Sequence, residues 1–201
     1  MAKGPRYRVP YRRRREHKTD YKARRILATS SSPRFVIRPT NRNITIQIIR
    51  SEIKGDYTVV QTDSAKLVKR FSWLGGTKNT PAAYLLGLVA GYKALDIGIE
   101  SANVDIGLKR PSHGSRVFAA VLGAQEAGLK VPCDGKVMPE PERIDGSKIA
   151  EYAESLRTPK EEEVGEYERR FSEYLGRGLR PETLPIHFKE VKARIEEEFS
   201  G

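Results

Sequence analysis

The stretch PAAYLLGLVAGYKALDIG, residues 81–98, constrains the fold more than any other part of this 201-residue chain. Thr80 followed by Pro81 is a favourable start for a helix, and Gly98 is a suitable end. Apolar side chains lie on nearly every side of this helix, so it must be covered on more than one face. Its apolar run is about half of the roughly 20 residues that a membrane helix needs, so we expect burial inside a folded domain.

Short apolar and alternating segments on either side of this helix have the pattern of β-strands. The predicted elements are strands at residues 34–38, 43–53, 57–62 and 102–108, and a second helix at residues 115–129. Ile44, Ile46 and Ile48 alternate with other side chains in the second strand. A turn predicted at residues 54–56 leaves short connections, so an antiparallel meander is the simplest arrangement of the first three strands. The order β-β-β-α-β-α predicts an α+β fold with helices packed on an antiparallel-rich sheet.

Charge divides the chain into three parts. The net charge of +11 is the sum of +9 in residues 1–25, +7 in residues 26–139 and −5 in residues 140–201. The last part is rich in charge and has helical spacing, which indicates peripheral helices at residues 147–156, 160–175 and 182–199. We therefore predict a basic arm at residues 1–30, an α+β core domain at residues 31–139 and an acidic helical C-terminal extension at residues 140–201.

The arm sequence YRVPYRRRREHKTDYKARR, residues 7–25, is built to meet a polyanion. Blocks of like charge are often disordered, solubilising tails, but such tails are usually poor in aromatic residues, and here three tyrosines are interleaved with the cations. Tyrosine stacks on unpaired bases while Arg and Lys bind phosphates, and a membrane-binding helix would need an aliphatic face that this arm lacks. A helix beginning at Tyr11 would place Arg15, Lys18, Lys22 and Arg25 on one face. The pattern favours nucleic acid.

Two basic turns in the core precede the two predicted helices. Residues 72–81 (SWLGGTKNTP) contain two glycines and a lysine, but lack the spacing of a nucleotide-binding phosphate loop. We interpret this stretch as a flexible turn. Residues 107–117 (GLKRPSHGSRV) follow a strand and open the second helix. Backbone N–H groups at a helix N-terminus bind phosphate, and the element order allows both turns to converge at one end of the sheet.

Catalysis finds little support in the sequence. The three histidines are scattered, no serine has a nucleophile context, and Asp96, Asp105 and Asp134 are not spaced convincingly for a metal. Asp105 is expected to cap or pair inside a strand. A single cysteine, Cys133, excludes an internal disulfide and suits a reducing cytosol. We expect no enzyme activity, metal, cofactor or small-molecule substrate, while a nuclease and a DNA-architectural protein stay open as alternatives.

Three longer segments, taken with the arm, carry a family resemblance. NTPAAYLLGLVAGYKAL, VDIGLKRPSHGSRVFAAVLGAQEAGLKVP and PEPERIDGSKIAEYAESL closely resemble archaeal large-subunit ribosomal protein L eighteen, the counterpart of eukaryotic L five, from about residue 5 to residue 156. The resemblance implies a non-catalytic ribosomal protein of the cytoplasm that binds 5S rRNA. It also implies attachment of 5S rRNA to the large rRNA at the central protuberance, beside other 5S-associated proteins.

The same resemblance maps RNA contacts onto the arm and the two basic turns that charge had already selected. The resulting candidate RNA-binding residues are Arg6, Tyr7, Arg8, Tyr11, Arg12, Arg13, Arg14, Arg15, Lys18, Tyr21, Lys22, Arg24 and Arg25 in the arm; Gly76, Thr77, Lys78 and Asn79 in the first turn; and Lys109, Arg110, His113, Ser115 and Arg116 in the second.

Overall fold

The computed structural model describes residues 4–157 and 165–200 of the chain. Its sheet has four strands in the order β3-β2-β1-β4. The strands are β1 (Arg34–Pro39), β2 (Ile44–Glu52), β3 (Gly55–Asp63) and β4 (Asn103–Asp105). β2 pairs antiparallel with β1 and with β3, whereas β4 pairs parallel with β1. The predicted three-strand meander is confirmed, and the short fourth strand makes the sheet mixed.

Helices surround this sheet and also precede it. In the described part of the chain they are α1 (Arg12–Arg15), α2 (Tyr21–Thr29), α3 (Ser64–Phe71), α4 (Thr80–Asp96), α5 (Arg116–Glu126), α6 (Pro141–Ile144), α7 (Ser147–Arg157), α8 (Glu166–Gly176) and α9 (Leu184–Phe199), with 3₁₀ helices at Gly135–Val137 and Pro181–Thr183. The predicted α+β class is correct. The predicted order lacked α3, which begins where the side chain of Asp63 accepts hydrogen bonds from the backbone nitrogens of Ala65 and Lys66.

The hairpin between β2 and β3 turns at Ile53 and Lys54, so the predicted turn at residues 54–56 is displaced. Gly55 and Asp56 instead begin β3, and Asp56 lies opposite Ser51 of β2. The Ser51 hydroxyl donates a hydrogen bond to Asp56 Oδ1 over 3.2 Å. An acidic side chain expected in a loop is therefore held on a strand.

Helix α4 is buried on nearly every side, as its apolar composition predicted, and packs against the sheet and α5. Gly87 faces Ala120, and Gly91 faces Ala124 one turn further along both helices, so α4 and α5 run parallel. Close backbone approach of this kind needs glycine at the contact. No helix within residues 4–157 or 165–200 is long and apolar enough to cross a membrane.

The C-terminal helices follow the predicted positions, although the part of the second one at residues 160–164 lies outside the described residues. The prediction that they are all peripheral is wrong for α9. Leu184, Val191 and Ile195 are fully buried, and they belong to the same apolar cluster as the sheet and α4. Only one face of α9 meets the core, so its apolar residues form a narrow stripe that many charged residues separate in the sequence.

Candidate nucleic-acid interface

The arm forms two short helices rather than one. Helix α1 ends at Arg15, His17 has a positive φ of 50°, and the Asp20 side chain caps a new helix by accepting from the Lys22 and Ala23 nitrogens at 2.9 and 3.2 Å. A capping carboxylate starts a helix where it stands, so the chain cannot continue the first one through it. The prediction that Arg15, Lys18, Lys22 and Arg25 share one helical face is therefore wrong.

The arm cations are nevertheless available for binding. Neither α1 nor α2 has a buried residue. The candidate cations of the arm are all exposed; they are Arg6, Arg8, Arg12, Arg13, Arg14, Arg15, Lys18, Lys22, Arg24 and Arg25. Tyr7 and Tyr11 are 45% and 72% exposed, and the Tyr11 ring lies 4.9 Å from the ring of the half-buried Tyr21. The arm thus presents aromatic faces between positive charges.

An ion pair with Asp56 helps to hold α2 against the sheet. Arg24 Nη2 lies 2.8 Å from Asp56 Oδ2, and Arg34 Nη2 lies 2.7 Å from the same oxygen. Partial burial alone would raise the pKa of Asp56, but hydrogen bonds from Arg34 and Arg24 hold that pKa below its ordinary value. The arm and the end of β4 then enclose a cleft of about 490 Å³, whose walls include Arg38 and Lys109.

The sequence suggested a flexible first turn, but in the structure this turn is held at several points. Trp73 Nε1 donates to the Gly76 carbonyl over 3.1 Å, and the Thr77 hydroxyl donates to the Arg42 carbonyl over 2.6 Å. Asn79, rather than the predicted Thr80, caps α4 by accepting from the Ala82 nitrogen. The Thr77 and Asn79 side chains are thus used internally, and Lys78 is the exposed cation of this turn.

The C-terminal extension contributes to holding this first turn. Arg177 Nη1 donates to the Gly75 carbonyl over 2.7 Å, and the Asn79 amide donates to the Tyr174 hydroxyl over 3.0 Å. Burial raises the pKa of Tyr174, so its hydroxyl stays protonated. Arg42 and Arg177 line a cleft of about 890 Å³ together with Lys69 and Lys78. Sequence reasoning missed these neighbouring cations because they are distant in the chain from the turn.

In the second turn, Lys109, Arg110 and His113 are exposed. His113 Nδ1 lies 2.8 Å from the Lys136 carbonyl oxygen, which fixes the ring while leaving its face open. Ser115 is the N-cap residue of α5, and its hydroxyl is buried without a hydrogen-bond partner among the described residues. The second turn therefore combines two exposed cations with an imidazole ring held by a hydrogen bond.

The two turns meet at the paired N-termini of α4 and α5. Arg116 Nη1 donates to the Lys78 carbonyl over 2.8 Å and joins one turn to the other. A cavity of about 310 Å³ between them is also lined by Arg143 and Lys148 from the C-terminal extension, two cations that sequence reasoning missed. Parallel helices add their positive N-terminal ends at this point, which favours anions. The predicted convergence is confirmed.

Comparison with known proteins identifies the family. A family model described as ribosomal large subunit proteins 60S L5 and 50S L18 matches residues 5–100, which include most of the arm and the whole first turn. Large ribosomal subunit protein uL18 of Caldivirga maquilingensis is 50% identical over 200 residues, covering 100% of this chain and 95% of the relative.

The chain belongs to the uL18 family. It is therefore a structural protein of the large ribosomal subunit, which is cytoplasmic, and not an enzyme.

Asp105 ion-pairs with Arg34 and Arg38, and Asp134 caps a 3₁₀ helix by accepting from the Lys136 nitrogen, so both carboxylates have structural partners. Within residues 4–157 and 165–200, no three His, Cys, Asp or Glu side chains are grouped to hold a metal ion.

Proposed function

We propose that this uL18-family protein binds 5S rRNA and attaches it to the large rRNA at the central protuberance. The observation that carries the proposal is the convergence of two basic turns at the N-termini of α4 and α5, joined by Arg116 and Lys78. The exposed arm extends the cationic surface beyond these turns. Family membership makes an RNA of the large subunit the natural ligand, because the relative is a large-subunit ribosomal protein.

The arm and the core divide the work of binding. Arm cations contact phosphates along a helical segment of RNA, because protein side chains cannot easily reach the bases in its deep major groove. The core turns meet looped-out bases, which His113 and backbone N–H groups contact at the helix N-termini. Affinity then comes mainly from the arm at residues 1–30 and discrimination mainly from the core at residues 31–139. No chemical step is involved.

The acidic extension at residues 140–201 supplies a protein-facing surface in this proposal. Glu196, Glu197 and Glu198 lie near the end of α9, and two of them are exposed. Neighbouring ribosomal proteins that accompany 5S rRNA are basic as a class, because they too bind RNA. The negative charge of the extension is therefore suited to contact such neighbours.

Filter binding of a 5S rRNA transcript tests the proposal. Neutralising about six phosphates should make log K fall with log salt at a slope of roughly −4 to −5. Duplex DNA of equal length, competed at matched salt, should displace the transcript poorly. A flat salt dependence would contradict the electrostatic model, and equal competition by duplex DNA would favour the DNA-architectural alternative. Co-sedimentation with large subunits provides the independent check.

A further inference from the structure

A continuous chain of ion pairs runs from the arm through the sheet to the second basic turn. Arg24 of α2 and Arg34 of β1 both contact Asp56 Oδ2, at 2.8 and 2.7 Å. Arg34 Nη1 lies 3.1 Å from Asp105 Oδ2, and Arg38 Nη2 lies 2.7 Å from Asp105 Oδ1. Three arginines and two aspartates therefore alternate without a break across β3, β1 and β4.

The middle of this chain is buried and its ends are open. The side chain of Arg34 is 3% exposed and that of Asp105 is 8% exposed, whereas those of Arg24 and Arg38 are 45% and 41% exposed. A buried guanidinium must be paired, so Arg34 holds both carboxylates in place. Asp56, at 28% exposure, stands between the buried part and the arm.

Asp105 carries the connection into the second turn. Its Oδ1 accepts a hydrogen bond from the Gly107 nitrogen over 2.9 Å. Gly107 has a φ of 64°, which glycine adopts without strain, and it begins the turn that contains Lys109 and Arg110. Asp56 therefore binds the arm helix α2, Asp105 binds the second turn, and Arg34 connects the two carboxylates.

We propose that Asp56 and Asp105 are positioning residues for RNA binding, which orient the arm relative to the second turn. The proposal rests on the proposed function, because it assigns a task within the same RNA interface. Asp56 orients α2 by its ion pair with Arg24, and Asp105 fixes the conformation of the second turn by accepting a hydrogen bond from the Gly107 nitrogen. Since ordering the arm before binding lowers the entropy lost on binding, the docked arm binds RNA more tightly than a free one.

This proposal reverses the usual effect of charge. Removing an acidic group from a protein that binds a polyanion raises affinity when the group acts only through its field. If Asp56 positions the arm, then Asp56→Asn weakens RNA binding even though it makes the protein more positive. The two effects have opposite signs, so a single comparison separates them.

The experiment measures affinity of the full-length protein for a 5S rRNA transcript. The first pair is Asp56→Asn against Glu52→Gln, an exposed acid on the same hairpin that removes the same charge. The second pair is Arg24→Gln against Arg25→Gln, neighbouring exposed cations on α2 that each remove one positive charge. Trypsin cleavage within the arm and the thermal unfolding midpoint are recorded for every variant without RNA.

The expected result is binding about fivefold weaker for Asp56→Asn and unchanged or tighter for Glu52→Gln, because of the two ion pairs that Asp56→Asn weakens, the partly exposed one with Arg24 is the one that holds the arm. Arg24→Gln should lose more affinity than Arg25→Gln, and Asp56→Asn should have little further effect in the Arg24→Gln background. Cleavage of the arm should quicken in Asp56→Asn and in Arg24→Gln only. Asp56→Glu, which keeps the charge, should retain most of the affinity.

The proposal is overturned if the two variants of each pair have equal RNA affinity and equal arm cleavage. It is also overturned if Asp56→Asn binds RNA more tightly than the wild type. If Asp56→Asn fails to fold, the Arg24 and Arg25 pair decides alone, because both side chains are exposed and neither supports the core. Failure of the wild-type protein to prefer 5S rRNA over duplex DNA would instead refute the proposed function. The two failures are therefore distinguishable.

Discussion

The contact between α4 and α5 makes a sharp prediction, because it sets both the stability of the core and the spacing of the two basic turns. A Cβ at Gly123 would overlap the carbonyl oxygen of Tyr84 and come within 2.9 Å of the Leu88 nitrogen. These are backbone atoms of a buried helix, so they cannot turn aside as a flexible side chain would. Overpacking of this kind costs about 3 kcal/mol, at the upper end of the usual range.

Alanine also favours a helix over glycine by about 1 kcal/mol, which offsets part of this cost. Gly123→Ala should therefore lose about 2 kcal/mol of the free energy of unfolding and lower the Tm by roughly 4–8 °C. RNA affinity should fall as well, because moving α5 away from α4 strains the hydrogen bond from Arg116 to the Lys78 carbonyl.

Urea unfolding and filter binding on the same protein sample measure both effects. The matched control is Gly176→Ala at the end of α8, where a Cβ would meet nothing within 4 Å. That variant should be as stable as the wild type or slightly more stable. Wild-type stability in Gly123→Ala would refute the inference that the two backbones are in direct contact, and unchanged RNA affinity in a destabilised variant would separate helix spacing from binding.

Two further predictions concern the arm and a buried histidine. No side chain among residues 4–25 is buried, and the Arg24–Asp56 ion pair that joins this segment to the sheet is partly exposed. Deleting residues 1–25 should therefore leave a core that unfolds cooperatively with a Tm lowered by no more than about 4 °C, while binding of 5S rRNA weakens; loss of the unfolding transition would show that the arm supports the core. Burial lowers the pKa of His187 below its ordinary value of 6.5. The charge of Arg194 also lowers this pKa, whereas Glu190 raises it. The Nε2 atom of His187 accepts a hydrogen bond from the Leu74 nitrogen over 3.0 Å. Stability from the neutral imidazole is therefore complete above about pH 6.5 and is lost as the pH falls below it, so urea unfolding of His187→Gln should show a flatter decline from pH 7.5 to 5.5; an unchanged profile would contradict this role.

The parts of the fold that follow from local pattern were predictable. The alternating isoleucines define β2 by their period, the continuous apolar composition defines α4, and the short predicted connections between the first strands favoured the meander that the structure contains. Helix α3 was missed because it has only eight residues and directly follows a strand, although Leu67, Val68 and Phe71 lie on one face of it. The signal that could have found it is Asp63, a capping residue directly after a strand.

The candidate site was predictable as a set of charges but only partly as an arrangement. Asp20 shows why: a capping carboxylate outweighs the helical spacing of the cations around it and breaks the arm in two. Arg143 and Lys148 could not be found from sequence, because they lie in a segment whose net charge is negative and approach the interface only through the packing of α6 and α7. Net charge by segment records composition, whereas binding depends on which side chains share a surface.

The C-terminal extension illustrates the same distinction from the opposite side. By charge it is the part of the chain least suited to RNA, yet Arg177, Tyr174 and His187 hold the backbone and side chains of residues 74–79. Under the proposed function, these contacts fix the orientation in which the N–H groups of the first turn would bind phosphate. The acidic extension and the basic first turn are therefore one structural unit, joined by the side chains of Arg177, Tyr174 and His187.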